Sequence, residues 1–473
     1  MSHYDCIIVG AGPSGYMCAY ELVKKSPGLK VLLIDKGKDV EHRFCPVLNH
    51  LIERCPVNKA GVTGCHPSCS MTCGFGGAGA FSDGKFNITT EFGGWLDEFI
   101  SDEELIELIK YADNINLEFG ATPIITDPYT PKIREIERKA MGAGLKLLRA
   151  KVRHLGTEEN LKILSRIYNY LKDKIEIRHE TFLKDLIIEN KQIKGIIVND
   201  DEKIFADNVV LGLGRDGSIF LSELLSKYGV EMINNRVDIG VRVETSNVVM
   251  QEINENLYEG KFVYYTSNGV KVRTFCSNPS GHVVLENDHH VILANGHSYQ
   301  DPKLGSENTN FALLVSHKFS EPFNDPNSYA YSLAKLANKL SCGSVILQRF
   351  GDIMLQRRST EKRIKEGFVV PTLKEAVPGD LALCLPYKTL SALIEMIKVL
   401  DKVTPGIAND DTLFYGVEAK FYSARVDVDK TLMVKNINNL YVVGDGAGIT
   451  RGLAQASACG IYVARTISKK EGK

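Results

Sequence analysis

The chain has 473 residues, 44% of them apolar and 24% charged, and a formal net charge of −1. That length supports two or three domains, and that composition is ordinary for a folded globular protein rather than a disordered one. A balance so near neutrality argues against a broad nucleic-acid footprint, no apolar run reaches the roughly 18 residues of a membrane span, and eleven cysteines, an odd and scattered set, point to reduced thiols rather than a disulfide framework.

Asp5-Cys6-Ile7-Ile8-Val9 predicts a buried strand. Gly10-Ala11-Gly12-Pro13-Ser14-Gly15 follows at once, then a helical stretch from Tyr16 to Lys25 and a second strand, Lys30 to Ile34, ending on Asp35. Gly10 permits the tight turn, Gly12 has no side chain to keep a pyrophosphate off the backbone, and Gly15 lets helix and strand lie close. The helix start offers unpaired N–H groups to phosphates. Asp35, about 20 residues past the last glycine, is placed to accept hydrogen bonds from a ribose. Strand, glycine turn, helix, strand and acid together predict a dinucleotide site. The chain runs directly into its first strand, so no secretory leader and a cytoplasmic location are expected.

Lys36 and Arg43 lie in the next loop, where Arg43 can stack on adenine, meet a phosphate, or simply be solvated. Cys45, Cys55, Cys65, Cys69 and Cys73 invite a cluster or zinc reading, but their spacing fits neither well; a redox thiol or structural cysteines stay open. In Gly74 to Lys85 the small residues Gly77, Ala78 and Gly79 allow close approach to a flat ligand, and Ser82 and Asp83 can bond its polar edges.

Ser101-Asp102-Glu103-Glu104 has the form of a capping box opening a helix that Gly120 closes. A second helix is expected over Thr157 to Lys172, and short strands over 181–208. Val209-Val210-Leu211 leads into a second literal GxGxxG, with Gly212 and Gly214. No acid-terminated strand follows it, so it reads as a late strand of the first sheet passing the same dinucleotide. Residues 236–300 are strand-rich and predict a second, mostly antiparallel sheet. His282, His289, His290 and His297 fall there; nothing in their spacing makes a metal site, and His297, in the polar turn Asn295 to Tyr299, is the best acid/base candidate. Arg357-Arg358-Ser359-Thr360 reads either as a grip for a carboxylate or phosphate or as a helix cap. The chain then returns: Asn439 to Val443 is a strand, it ends in Gly444-Asp445-Gly446-Ala447-Gly448, and a helix follows from about Leu453.

Gly10–Gly15 with Asp35, Val209–Gly214 and Val443–Gly446 resemble the FAD-binding pattern of the two-dinucleotide-binding-domain flavoproteins. Within them the chain is similar to a family of FAD-dependent dehydrogenases or oxidoreductases whose substrates are poorly assigned. The likeness is carried by Gly76–Lys85, Arg273–Cys276, Asn295–Ser298, Glu307–Asn310, Gly444–Gly448 and Thr450-Arg451-Gly452, and it spans nearly the whole chain. It implies FAD and an α/β fold: a discontinuous Rossmann-like FAD-binding domain (1–228 and 406–473) with an inserted α+β substrate domain (229–405) on a mostly antiparallel sheet. FAD would be held by Gly10, Gly12, Pro13, Ser14, Gly15, Asp35, Lys36, Arg43, Gly77, Ala78, Gly79, Ser82, Asp83, Gly212, Gly214, Gly444, Asp445 and Gly452. The implied reaction is hydride transfer between flavin N5 and a small substrate, by alkene reduction or dehydrogenation. Arg451 would balance charge on the flavin, and His297, Tyr299 or Tyr415 would move a proton. NAD(P)H or a protein would serve as electron donor, with no nucleic-acid or membrane partner. Rival readings are a flavin-based carrier or sensor and an RNA-modifying flavoprotein; the large insertion counts against the first and the near-neutral charge against the second.

Overall fold

A computed structural model of the chain describes residues 3–46, 51, 68–82, 84–257, 259–288, 291–299 and 302–471. The expectations placed on Cys55, Cys65, Asp83, His289 and His290 lie outside the described residues. Nine elements carry the functional argument: β1 (His3–Val9), α1 (Pro13–Lys25), β2 (Val31–Ile34), β3 (Lys203–Leu211), β4 (Val237–Ser246), β5 (Asn308–His317), β6 (Leu413–Lys420), β7 (Leu440–Val442) and α2 (Leu453–Glu471).

The chain divides into two compact units. The first comprises Met1–Thr126, Ala150–Ile233 and Ser423–Lys473; the second comprises Asp127–Arg149 and Asn234–Tyr422.

The first unit is built on a seven-stranded sheet with β1 inside it. Cys6, Ile7, Ile8 and Val9 are all buried, which is why they read as one unbroken apolar run: a parallel strand covered on both faces has no polar side. β1 pairs in parallel with β2 on one side and β3 on the other, and β3 pairs in parallel with β7. Val9, Ile34, Leu211 and Val442 therefore end their strands at the same edge. The other half of β3 pairs antiparallel with Gln192–Ile197, itself hairpinned to Asp185–Glu189. The expected helices form as Asp102–Glu118, where Ser101 Oγ accepts from the Glu104 N–H at 3.2 Å, and as Thr157–Lys172. Arg153 and Asp113 form a buried bidentate pair, 2.7 Å at each contact.

The chain leaves this unit twice, where the sequence predicts a single departure after residue 228 and a return at 406. The first excursion carries helix Pro131–Gly142, capped by Thr130, and strand Lys146–Leu148, which pairs with Lys261–Tyr265 of the second sheet. Ile133, Ile136 and Ala140 face the second unit's core. Their helical spacing marks an inward face but does not say which sheet that face meets. The second excursion ends later than expected because β6 pairs antiparallel with β4. Met232–Ile233 and Arg425–Val426 pair antiparallel where the chain leaves the first unit and comes back.

The second unit holds an eight-stranded sheet. Its pairings are antiparallel except that of Ile346–Arg349 with Val377–Pro378, so the sheet is mixed at its edge. A separate hairpin, His282–Asp288 with Val291–His297, completes the unit's β-structure. β4 alternates with period two. Val237, Ile239, Val241 and Val243 enter the apolar core, whereas Asp238, Gly240, Arg242 and Glu244 take the opposite face. Among the described residues no helix is long and apolar enough to cross a membrane.

α2 lies directly on α1. A Cβ on Gly460 would stand 1.9 Å from the Ser14 carbonyl oxygen. Backbone cannot give way there as a flexible side chain can, so Gly460→Ala is expected to cost about 1–3 kcal/mol through overpacking. Urea unfolding checks this, with Gly28→Ala, where nothing lies within 4 Å, as the neutral comparison.

Candidate functional site

The parallel ends of β1, β2, β3 and β7 place four turns together: residues 10–15, 35–37, 212–217 and 444–448. Ligands of open α/β sheets bind at this edge. The Gly10 N–H donates to Ile34 O at 2.8 Å, the Gly212 N–H to Val9 O at 2.7 Å, and the Val443 N–H to Leu211 O at 3.0 Å, which locks the turns side by side.

The three glycines of the first turn do different jobs. Gly10 has φ +100°, and a Cβ there would fall 2.2 Å from Gly212 O. A Cβ on Gly15 would fall 1.8 Å from Gly10 O. The fold itself demands both. A Cβ on Gly12 meets nothing nearer than Gly77 Cα at 4.0 Å. Gly12 is the N-cap of α1 and gives no side-chain cap, and Pro13 opens the helix. The result is an open helix start whose N–H groups and dipole favour an anion.

The later turns close round this one. Ser14, buried, sits where a Cβ on Gly444 would approach its Oγ to 2.7 Å and one on Gly212 to 3.3 Å. Gly446 meets the Gly214 carbonyl in the same way, at 2.3 Å. Gly214 itself, φ +65°, faces open space. Asp445 accepts from Thr450 Oγ1 at 2.7 Å, with Arg215 Nε 3.8 Å from its other oxygen.

Residues 73–82 run along the first turn. The Gly76 N–H donates to Ala11 O at 2.8 Å, and a Cβ on Gly77 would lie 3.0 Å from Gly12 Cα. Gly79 packs against Leu453 and Pro13, and Ala78 lies beside it in the 3₁₀ turn Gly77–Phe81. Ser82 Oγ donates to Gly79 O at 2.7 Å. Asn160, which the sequence did not single out, donates to the same carbonyl at 2.8 Å; its position on a helix gave no sign of this partner. The Arg451 N–H donates to Gly93 O at 2.8 Å, and a Cβ on Gly452 would lie 3.8 Å from Gly93 Cα. The Gly93-Gly94 segment thus lies against the approach to α2, another neighbour that sequence reasoning missed.

Two charged residues do other work than expected. Asp35 is buried, and its carboxylate accepts from the Ala11, Gly37 and Gly74 N–H groups, each at 2.8 Å. Arg43 donates to the carbonyls of Phe75 (2.7 Å), Ser70 (2.9 Å) and Met71 (3.1 Å) and stacks on Phe81. It is a clamp on the 68–75 loop rather than an adenine or phosphate contact, and burial lowers its guanidinium to about 10. Lys36 pairs with Asp216, to which Cys73 Sγ also points at 3.4 Å. Burial pushes the Cys73 thiol up to about 11, so it is not a ready thiolate. Among the described residues no group of three or more His, Cys, Asp and Glu side chains is placed to hold a metal ion.

Residues 236–421 match the family model "FAD-dependent protein, C-terminal domain-like", and residues 8–40 match that of the NAD(P)-binding Rossmann-like domain. The cofactor these matches give is FAD. It is 29% identical to an uncharacterized protein of Clostridium beijerinckii, over 98% of this chain and 80% of that one. Solved structures similar to it include L-proline dehydrogenase from P. horikoshii (12% identity, TM-score 0.41, covering 99% of this chain and 94% of that one). They also include a formate oxidase variant of Aspergillus oryzae (16%, 0.44, 100% and 99%) and glycine oxidase from Bacillus cereus (11%, 0.37, 99% and 95%). The residues present fit FAD. An uncapped helix start for the pyrophosphate, open space at Gly12 and Gly214, and Asp445 set by Thr450 are the features such a ligand requires.

In this flavoprotein's second unit, Tyr415 is fully buried and donates to Glu244. Burial, then the Glu244 charge, hold its hydroxyl well above the usual phenol range, so it is a locked donor and not a mobile acid. His297 and Tyr299 come together edge-to-face, 4.8 Å between centroids, and both are exposed. Arg357 and Ser359 bond buried Asp352, each at 2.7 Å, and Thr360 caps helix Glu361–Lys365. That segment is therefore a cap and not a ligand grip.

Missed altogether was a closed ring on the polar face of β4. Arg242 Nε lies 2.9 Å from Glu418 Oε2, and Arg242 Nη2 donates to Asn295 Oδ1 at 2.9 Å. Asn295 donates to Glu286 at 2.7 Å, and Lys420 Nζ stands 3.7 Å from Glu286 and 3.0 Å from Glu418. The charged residues within an otherwise apolar strand were its only sequence signal.

The division among the glycines gives a test. Gly12→Val is expected to leave the apoprotein's melting temperature near wild type but to abolish flavin retention. Gly15→Ala is expected to lower the melting temperature of the apoprotein itself. Thermal unfolding and bound-flavin absorbance of the two variants check both outcomes.

Proposed function

We propose that this flavoprotein is an oxidoreductase moving a hydride between flavin N5 and a carbon of a small organic substrate, in an alkene reduction or a dehydrogenation. The observation that carries this reading is the convergence of four turns from distant parts of the chain on one sheet edge, in a chain that matches a Rossmann-like nucleotide-binding model and the C-terminal model of FAD-dependent proteins. Bound there, the flavin supplies the redox chemistry; the protein supplies binding, orientation and electrostatics.

In this reading the start of α1 holds the pyrophosphate, and Asp445, oriented by Thr450, accepts a ribityl hydroxyl. Arg451, its backbone fixed on Gly93, balances negative charge on the ring. The second unit, with its own sheet and core, is the substrate domain. His297 and Tyr299 are its proton-moving candidates, because they are accessible and paired, whereas Tyr415 is locked on Glu244. The reducing partner is NADH, NADPH or a protein donor.

Titration of the purified protein under nitrogen with NADH, NADPH and dithionite tests this. The expected result is a yellow protein bleached by dithionite and by one physiological donor, and recoloured by an unsaturated acceptor. A protein that takes up no FAD, or whose flavin no donor or substrate changes, overturns the assignment.

A further inference from the structure

This inference rests on the FAD reading and concerns how the adenosine half is recognised. The acid that ends β2 occupies the place of a ribose acceptor, but Asp35 is only 8% exposed and already receives three backbone N–H groups. A carboxylate has about four acceptor sites, and three here go to the fold.

A second acid stands across the same edge. β1 lies between β2 and β3 in the sheet, so the turns after β2 and β3 flank the glycine loop that follows β1. Lys36 extends from the first of these turns and Asp216 from the second, and they meet in an ion pair. The pair thus spans the end of β1, beside the loop expected to carry the pyrophosphate. Both side chains are reachable, 34% exposed for Lys36 and 46% for Asp216. Among the described residues, the contacts from Lys36 and Cys73 both fall on Asp216 Oδ2, and Oδ1 is the oxygen offered to a ligand. Burial opposes charge at both groups, but their mutual bond prevails, holding Asp216 below the usual carboxylate range and Lys36 above the usual ammonium range.

We propose that Asp216, oriented by Lys36, accepts the hydroxyl hydrogens of the adenosine ribose of FAD, while Asp35 is an internal staple of the site. Asp216 is the binding residue and Lys36 the positioning residue. The sequence Arg215-Asp216-Gly217 lies inside the second GxGxxG, so this glycine turn contributes a specificity group and not only a close backbone approach.

The test is calorimetric titration of full-length apoprotein with FAD, ADP, 2′-deoxy-ADP and 3′-deoxy-ADP. Wild type is expected to bind ADP about tenfold or more tightly than at least one deoxy analogue, the loss of a hydrogen bond to a charged group. Asp216→Asn is expected to weaken FAD and ADP about tenfold and to bring the ADP-to-deoxy ratio close to one, with an unchanged melting temperature. Lys36→Gln should reduce the same ratio by a smaller factor, which a purely structural role would not do. Asp35→Asn should instead lower the melting temperature. Wild-type FAD affinity and ribose discrimination retained in Asp216→Asn overturn the inference and leave the FAD reading standing. A wild-type protein that binds neither FAD nor ADP overturns both.

Discussion

The Asp35 carboxylate is the interaction on which the cofactor edge depends. It gathers the Ala11 N–H from the glycine loop, the Gly37 N–H from its own turn and the Gly74 N–H from a segment 39 residues further on. Charged hydrogen bonds of this kind contribute about 1.5–3 kcal/mol each. Three on one side chain fix three segments relative to one another, and these are the segments that border α1. Gly76 can reach Ala11 O, and Gly77 can lie against Gly12, because Gly74 is already held. Arg43 supports the same loop from its other side through three carbonyls. An acid and a base eight residues apart in sequence thus build the wall of the site from backbone.

This arrangement separates what a glycine motif owes to folding from what it owes to a ligand. Gly10 and Gly15 are pressed against backbone oxygens, and any side chain there collides with the protein before a ligand is considered. Gly12 and Gly214 are different: their missing side chains leave space that the protein does not fill. Ser14 sits between Gly212 and Gly444 in a position where a larger residue would push two turns apart. The second GxGxxG is therefore no second nucleotide domain. Its first glycine serves the fit of β3 against β1, and its second opens room.

The local parts of this site were legible in the sequence because each is a short pattern with a physical job. The strand before Gly10, the uncapped start of α1 and the Gly444-Asp445-Gly446 turn can all be read from neighbours within a few residues. What was not legible depends on contacts across the chain. Asp35 looks like a ribose acceptor until Gly74 is folded onto it, and Arg43 looks like a ligand residue until its carbonyl partners close round it. The excursion at 127–149 has an amphipathic helix, Ile133, Ile136 and Ala140 inward, but amphipathicity names a buried face and not the core that buries it. The sequence predicts a return to the first unit at 406, whereas β6 pairs with β4 and so belongs to the second sheet, a pairing that no local pattern announces.

The ring under the hairpin in the second unit shows the same dependence in charged form. Arg242 and Glu418 are both fully buried and 176 residues apart. Desolvating two charges is expensive, and such a pair adds little stability against an apolar alternative. Its value lies in position. Every partner in the ring has one place to be, and Gly296 lets the hairpin come so close that a Cβ would stand 2.2 Å from Asn310 Oδ1 and 2.8 Å from Arg242 Nη1. A hairpin slipped by one residue would exchange its faces and leave Arg242 without Asn295, at the cost of an uncompensated buried charge. The ring therefore fixes the hairpin's register, and with it the place of His297, the next residue after Gly296. An exposed histidine at a strand end would otherwise be free to drift; here its backbone is set by a ring whose central pair, Arg242 and Glu418, is fully buried.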